Sequence, residues 1–173
     1  MAPLNYCVEC GGALSEKWVA AESRNRLVCT NCGYIHYQNP KVVAATLPVI
    51  EGKVLLIRRG IEPAFGAWSY PAGYVEMGET VEEAAQRETR EETYLEVRLA
   101  RLLNVYSRRQ AGVVVVAYLA EAVSGEPRPG AEVLDVGLFA PDEIPWTDLA
   151  FPTVTAALRD WLDALRQQSP EPA

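Results

Sequence analysis

The chain has 173 residues, 49% of them hydrophobic and 23% charged, with a net charge of −7. That length gives one full domain with room for a small appendage, and the composition excludes a wholly disordered chain. The acidic balance argues against a broad basic face for duplex nucleic acid, and no apolar run approaches the ~20 residues of a membrane span.

All four cysteines lie near the start, as Cys7-Val-Glu-Cys10 and Cys29-Thr-Asn-Cys32 with 18 residues between the pairs. Two such turns can bring four thiolates onto one tetrahedral ion, and the spacing is that of a structural zinc site. Gly11, Gly12 and Gly33 follow the pairs, where a tight knuckle calls for positive φ. Residues 18–28 read as a short hairpin. Two disulfides are the alternative framework. Residues 1–7 offer neither a basic start nor an apolar signal core, so the expectation is a cytoplasmic protein and a metal site. A segment this short needs the folding energy that zinc supplies. Four cysteines fill the shell, so the single histidine, His36, is expected to be a surface or hinge residue. Lys17, Arg24 and Arg26 balance Glu9, Glu16 and Glu22, which leaves no basic excess to attract nucleic acid.

Gln38-Asn39-Pro40 reads as a linker. Residues 42–50 read as a strand that Pro48 makes irregular or an edge. Residues 54–57 form a second strand leading into Arg58-Arg59. Residues 60–67 are a loop, and 68–74 are extended but broken at Pro71 and Gly73. Residues 80–94 are helical, with Thr80 and Glu83 placed as a capping box. Residues 96–106, 113–120 and 132–139 read as strands, with a turn-rich loop over 125–130. Residues 153–166 form a last helix whose apolar stripe is Val154, Ala157, Leu158, Trp161, Leu162 and Leu165. The rest reads as a frayed tail. The order predicts an α/β fold, a mixed sheet between helices. The expected division is a zinc ribbon over 1–38, a main domain over 39–167 and a disordered tail over 168–173.

On a helical wheel at about 100° per residue, Val81, Ala84, Ala85, Glu91, Glu92 and Leu95 fall within about 60° of Glu88. Thr89, Thr93 and Tyr94 fall outside that face. Three glutamates therefore stand where core residues belong. Carboxylates enter an interior only with partners, and clustered ones raise each other's pKa. Either this is an ordinary amphipathic helix with a solvated acidic edge, or the acids line a cleft that holds divalent cations. Hard carboxylate oxygens favour Mg²⁺ or Mn²⁺ over zinc.

Gly73-Tyr-Val-Glu-Met-Gly-Glu79, seven residues, then Arg87-Glu88-Thr89-Arg90-Glu91-Glu92-Thr93-Tyr94-Leu95 resembles the Nudix box, Gly-x5-Glu-x7-Arg-Glu-(apolar)-x-Glu-Glu-x-Gly-(apolar). Two positions depart from it: Thr89 replaces an aliphatic residue, and Tyr94 replaces the glycine that ends the helix in a left-handed conformation. The expectation at Tyr94 is a helix that ends differently, since that conformation costs a side chain about 1–2 kcal/mol. The resemblance implies hydrolysis of a nucleoside diphosphate linked to another moiety, with Mg²⁺ or Mn²⁺ held by Glu88 and Glu92, assisted by Glu91 and the Gly73 carbonyl. It implies that Glu79 and Arg87 pair to brace the loop on the helix. The general base in such enzymes is often a glutamate outside the box, and Glu121, Glu126 and Glu132 are the candidates.

The resemblance extends over residues 5–165. The cysteine pairs, Tyr37-Gln-Asn-Pro-Lys41, Gly66-Ala-Trp68, Tyr70-Pro-Ala-Gly-Tyr-Val-Glu76, Leu138-Phe139 and Asp142-Glu-Ile-Pro145 look like the zinc-ribbon Nudix hydrolases related to plant enzymes acting on FAD and ADP-ribose. A second zinc-ribbon group, the NADH pyrophosphatases, carries Ser-Gln-Pro-Trp-Pro-Phe-Pro after the box. Residues 106–112 here, Tyr-Ser-Arg-Arg-Gln-Ala-Gly, have neither the tryptophan nor the prolines. Arg58 and Arg59, and Arg109 of the Arg108-Arg109 pair, are candidate substrate contacts. Trp68, Tyr70 and Tyr74 are expected to pack rather than stack on a substrate. The implied substrate is a small nucleotide, with no nucleic-acid or membrane partner and with a homodimer as the assembly common among related enzymes. A Nudix-fold sensor whose ribbon contacts a partner is the non-catalytic alternative. The intact Glu88, Glu91 and Glu92 set favours the enzyme.

Overall fold

The computed structural model describes residues 4–168, which form two compact units dividing between Asn39 and Pro40. The first is a three-stranded antiparallel sheet of β1 (Leu14–Val19), β2 (Arg24–Cys29) and β3 (Ile35–His36) in the order β1–β2–β3. The β1–β2 hairpin turns through Ala20–Glu22 and a left-handed Ser23. Gly11 and Gly33 take the expected positive φ of 72° and 76°. Gly12 is needed for a different reason, space: a Cβ there would stand 3.1 Å from the Cys29 sulfur and 2.8 Å from the Asn31 Cβ.

The second unit is a seven-stranded mixed sheet with two helices. Its elements are β4 (Lys41–Ile50), β5 (Lys53–Arg59), β6 (Trp68–Ser69), β7 (Ala72–Tyr74), α1 (Val81–Thr93), β8 (Glu96–Arg108), β9 (Val113–Ser124), β10 (Val133–Phe139) and α2 (Pro152–Gln168). The path is β10–β5–β4–β9–β8, with β6 beside β5 and β7 beside β4. Only β4 and β9 run parallel along that path. Strand side chains alternate between faces, and the core follows that rule. Ala45, Leu47, Val54, Leu56, Val115 and Ala117 pack with Val154, Leu158 and Trp161 of α2. Their neighbours Ala44, Leu55 and Ile57 join clusters with Ala84 and Ala85 of α1 or with Leu95 just past it. The sheet thus lies between the helices. The last helix reaches Gln168 rather than fraying at 167, and the remaining expected tail lies outside the described residues. Among the described residues no helix is long and apolar enough to cross a membrane.

Pro48 does not mark an edge: β4 is central. One side of β4 pairs continuously with β9, while the other side changes partner, from β7 at residues 43–45 to β5 at residues 49–50. Thr46 donates its N–H to Pro71 on that second side. Pro48, two residues on, faces the same side, in the gap between partners, where a missing N–H breaks no ladder.

Helix α1 also corrects the wheel. Thr80 caps it, and Thr80 and Glu83 form the expected capping box. The fully buried side chains, however, are Ala84, Ala85, Thr89 and Thr93, while Glu91 is exposed. The two threonines go inside because their hydroxyls return to the helix. Thr89 Oγ1 donates to the Ala85 carbonyl at 2.7 Å and Thr93 Oγ1 to that of Thr89 at 2.6 Å. Thr46 of β4 meets Thr89 across the core, with hydroxyl oxygens 2.6 Å apart. Tyr94 likewise overturns its expectation. It takes the left-handed conformation, φ 58° and ψ 17°, and ends the helix where the family glycine would. Its ring lies 4.0 Å under the Arg128 guanidinium.

The buried threonine pair gives a stability test. Thr89→Val leaves the Thr46 hydroxyl buried without its partner and should cost about 1–3 kcal/mol. Thr46→Val combined with Thr89→Val should cost less than Thr89→Val alone, because the orphaned hydroxyl is gone. Urea unfolding of the three variants measures the order.

Candidate active site

The site forms where the carboxylates of α1 meet the backbone of β7. Ala72 donates its N–H to Glu92 Oε2 at 2.9 Å. One helical turn earlier, the Glu88 carboxylate occupies the space that a side chain on Gly73 would need. Gly73 is therefore required for close approach, not for its φ. Glu92 is held at a pKa of about 8, first by burial, then by the charges of Glu88 and Glu132, with the Ala72 N–H and Arg59 opposing. Burial also raises Glu88, against the opposing pull of Arg87. The cations that face the two acids, Arg87 at Glu88 and Arg59 at Glu92, only partly offset these effects.

Arg87 works at the outer side of this pair. Its Nε and Nη2 make a fork on Glu79, at 2.9 and 2.7 Å, and Nη1 reaches Glu88 Oε1 at 2.7 Å. Nη2 also donates to the Tyr74 carbonyl at 3.1 Å. Arg87 first, then the Glu76 N–H, pull Glu79 down to about 2. This staples the segment between β7 and α1 onto the helix. Glu91 turns outward to the same guanidinium, Oε2 at 3.2 Å. The inward carboxylates are thus Glu88 and Glu92, with Glu91 at the rim, and three acids do not converge on a point. The one group of three or more ligand atoms converging among the described residues is the cysteine set.

The arginines separate. Arg58 is exposed and donates Nε to the Gly66 carbonyl at 2.9 Å. Arg59 donates Nε to the Pro63 carbonyl at 2.9 Å, lies 5.3 Å over the Phe151 ring, and is the one whose charge reaches Glu92. Arg108 lies 5.0 Å over the same ring. Arg109 sits exposed in the short 3-10 turn between β8 and β9. Strand alternation could have selected Arg108, since it shares a face of β8 with Tyr106, whose hydroxyl bonds Asp160 of α2 at 2.7 Å. Phe151 carried no sequence signal. Of the outlying glutamates, Glu121 pairs with Arg98 on the exposed β8–β9 surface and Glu126 is exposed in the loop before β10. Glu132 is the one whose charge acts on Glu92. Tyr70 is buried as expected, and Trp68 packs edge-on to Phe139 at 5.0 Å. Tyr74 is exposed, with Lys41 Nζ 4.6 Å over its ring, so it does not belong to the core.

The NUDIX domain profile matches residues 40–164. The chain belongs to the Nudix hydrolase family. The Nudix N-terminal profile, a zinc ribbon, matches residues 5–38. A Nudix hydrolase structure from Nitrosomonas europaea superposes with a TM-score of 0.90 at 36% identity, over 96% of this chain and 95% of that one. An ADP-ribose pyrophosphatase from Methanocaldococcus jannaschii is 35% identical over 65% of this chain and 69% of its own. A protein named NAD-capped RNA hydrolase NudC, from Chromobacterium violaceum, is 31% identical over 93% of this chain but only 59% of its own. This Nudix chain spans about half the length of two further NudC relatives, 49% and 53%.

The Nudix N-terminal unit fits zinc. Zinc–sulfur bonds of about 2.3 Å set tetrahedral sulfur–sulfur edges near 3.8 Å. Cys7 and Cys32 sulfurs stand 3.8 Å apart and Cys10 and Cys29 sulfurs 3.5 Å, with all four within 4.8 Å. Backbone N–H groups of Glu9, Asn31 and Cys32 point at the sulfurs of Cys7 and Cys29. The N–H groups of Cys32 and Asn31 help pull the Cys29 thiol down to about 6, toward the thiolate a metal needs. His36 pairs with Leu27 in the sheet and is not part of the cluster. Elemental analysis of the reduced protein should find one zinc per chain. Cys29→Ser should lose that zinc and unfold residues 4–39, leaving the Nudix domain folded by circular dichroism.

The raised Glu92 gives a signed pH test in metal-free protein. Between the ordinary 4.5 and about 8 the folded carboxyl holds a proton that the unfolded one has lost. Stability should therefore fall as pH rises through that window, by up to about 1.4 kcal/mol per pH unit. Glu92→Gln should remove this slope and be more stable than the parent at pH 8. A thermal melt series from pH 5 to 8 in chelator reads both.

Proposed function

We propose that this Nudix hydrolase cleaves the diphosphate linkage of a nucleoside diphosphate derivative such as FAD or ADP-ribose, with Mg²⁺ or Mn²⁺. The observation that carries the reading is the partly buried Glu88–Glu92 pair against the β7 backbone. Two neighbouring, partly buried acids, both raised in pKa, are stable as carboxylates only beside added positive charge. Glu88, Glu92 and the Gly73 carbonyl would hold the cation, with Glu91 at the rim, a hard oxygen set suited to Mg²⁺ or Mn²⁺. When bound, such a cation neutralises the diphosphate and lowers the pKa of an attacking water. The protein's own groups do the rest. The Ala72 N–H fixes the Glu92 carboxylate, and the Arg87 fork on Glu79 fixes Glu88 from behind. We assign Glu132, the one candidate whose charge acts on Glu92, to take the water's proton as the oxygen adds to phosphorus and the phosphoanhydride bond breaks. Arg59 and Arg108, stacked on Phe151, supply positive charge for the phosphates. A binding-only module has no need of two acids held in this costly arrangement.

The working division is a zinc ribbon over 1–38 and a Nudix domain over 39–167. The relative named ADP-ribose pyrophosphatase supports the substrate class. So does the lack of tryptophan and proline in residues 106–112. The second reading is hydrolysis of NADH or of an NAD-capped RNA end, which the likeness to NudC over 93% of the chain favours. That reading admits nucleic acid as a substrate, so the expectation of no nucleic-acid partner holds only under the first.

Two measurements decide. Glu92→Gln keeps side-chain volume and should lower turnover by about two to three orders of magnitude while remaining folded. Full activity in that variant would mean that the acids are architecture. FAD or ADP-ribose should be hydrolysed faster than NADH or NAD-capped RNA at equal concentration with Mg²⁺. A tenfold lead for either of the latter would establish the second reading instead.

A further inference from the structure

Tyr94 stands where the Nudix pattern has glycine, and it adopts the left-handed backbone that glycine would take without strain. The helix end thus keeps its geometry at a conformational cost, which points to a use for the ring. Tyr94 is 46% exposed and belongs to none of the core clusters. Its partner is Arg128, 4.0 Å above it, the shortest cation–ring contact among the described residues. Arg128 belongs to the segment between β9 and β10, and that segment lies flat against the last turn of α1. The Arg128 N–H bonds the Thr93 carbonyl at 3.1 Å and the Gly130 N–H bonds the Glu92 carbonyl at 2.9 Å. These are carbonyls that a helix end leaves without partners of its own. The approach is so close that a side chain on Gly125 would strike the Tyr94 carbonyl, and one on Gly130 the Glu91 carbonyl. The same segment then turns at Gly130, bonded to the Val133 N–H at 3.2 Å, and presents Glu132, whose carbonyl accepts the Gly60 N–H at 2.8 Å.

We propose that Tyr94 and Arg128 form a clasp that holds the segment of residues 125–133 on the end of α1 and so positions Glu132 against Glu92. Both are positioning residues, and the proposal rests on the reading of Glu132 as the proton acceptor. In its physical content, one aromatic ring replaces a glycine and gives the acceptor's segment a side-chain anchor in addition to its backbone bonds.

The test uses the full chain with Mg²⁺ and whichever of FAD and ADP-ribose the parent turns over faster. Tyr94→Gly and Arg128→Gln should each lower kcat about fivefold to tenfold, since a small displacement of a reacting group is enough for that. KM and the Mg²⁺ half-saturation should stay within about twofold, because Glu88 and Glu92 are untouched. Combining Tyr94→Gly with Arg128→Gln should be no worse than either alone, as expected for one shared contact. Tyr94→Phe should retain kcat, and Tyr94→Gly should not melt lower than the parent, since it removes backbone strain. If Glu132→Gln loses at least tenfold while Tyr94→Gly and Arg128→Gln keep full kcat, the clasp is wrong and the acceptor stands. If Glu132→Gln keeps full kcat, the acceptor assignment itself fails and takes the clasp with it. Losses of kcat that track melting temperature, with Tyr94→Phe as impaired as Tyr94→Gly, would reduce the contact to general stability.

Discussion

The approach of the β7 backbone to the carboxylates of α1 is the constraint on which the site depends. Gly73 leaves the room that Glu88 fills, and the Ala72 N–H meets Glu92. Neither contact survives a shift of the helix along the sheet. That position is set from below by the buried threonines, Thr46 and Thr89, and by Ala84 and Ala85, whose small side chains let the helix sit close on β4. The polar pair in the core and the partly buried acids against β7 are two ends of one packing arrangement. Its register is fixed at the lower end and used at the upper.

Charge is distributed so that the acids remain unsaturated on one side only. Arg87 neutralises Glu79 and braces Glu88 and Glu91 from outside, and it is committed to those partners. On the other side Arg59 and Arg108 share the Phe151 ring, and no carboxylate pairs with either among the described residues. Such an arrangement leaves negative potential for a cation and positive potential for an anion side by side, which is what a cation-bound diphosphate presents. Burial first, and that incomplete compensation after it, raise the pKa of Glu92.

The N-terminal unit obeys a different economy. Its apolar side chains Tyr6, Val8 and Trp18 are largely exposed, and its buried side chains include Cys7 and Cys29. With so little apolar burial, the cluster of four sulfurs is its center of stability. The N–H groups aimed at Cys7 and Cys29 are the donors that would steady thiolates bound to a metal there.

Residue spacing along one element was enough to locate much of this. The cysteine pairs, the capping box at Thr80 and Glu83, and the box from Gly73 to Leu95 are local patterns, and the fold class followed from the order of apolar periods. What the chain order could not express was decided across elements. Pro48 looked like an edge residue because a sequence does not reveal that its strand changes partner at that point. Thr89 and Thr93 fell outside the apolar face because the wheel was centred on Glu88, whereas the buried side is Ala84, Ala85, Thr89 and Thr93, the threonine hydroxyls being satisfied by the carbonyls four residues back. Arg59, Arg108 and Phe151 come from three distant segments that only the fold brings together, and Glu132 likewise reaches Glu92 of α1 only through the tertiary structure. Sequence by itself determined the cysteine set, the helix cap and the family pattern, because metal-binding and capping geometry repeats over a few residues. Tertiary structure alone decided which of them face one another, because long-range contacts depend on how the strands pair, and pairing leaves no fixed spacing in the chain.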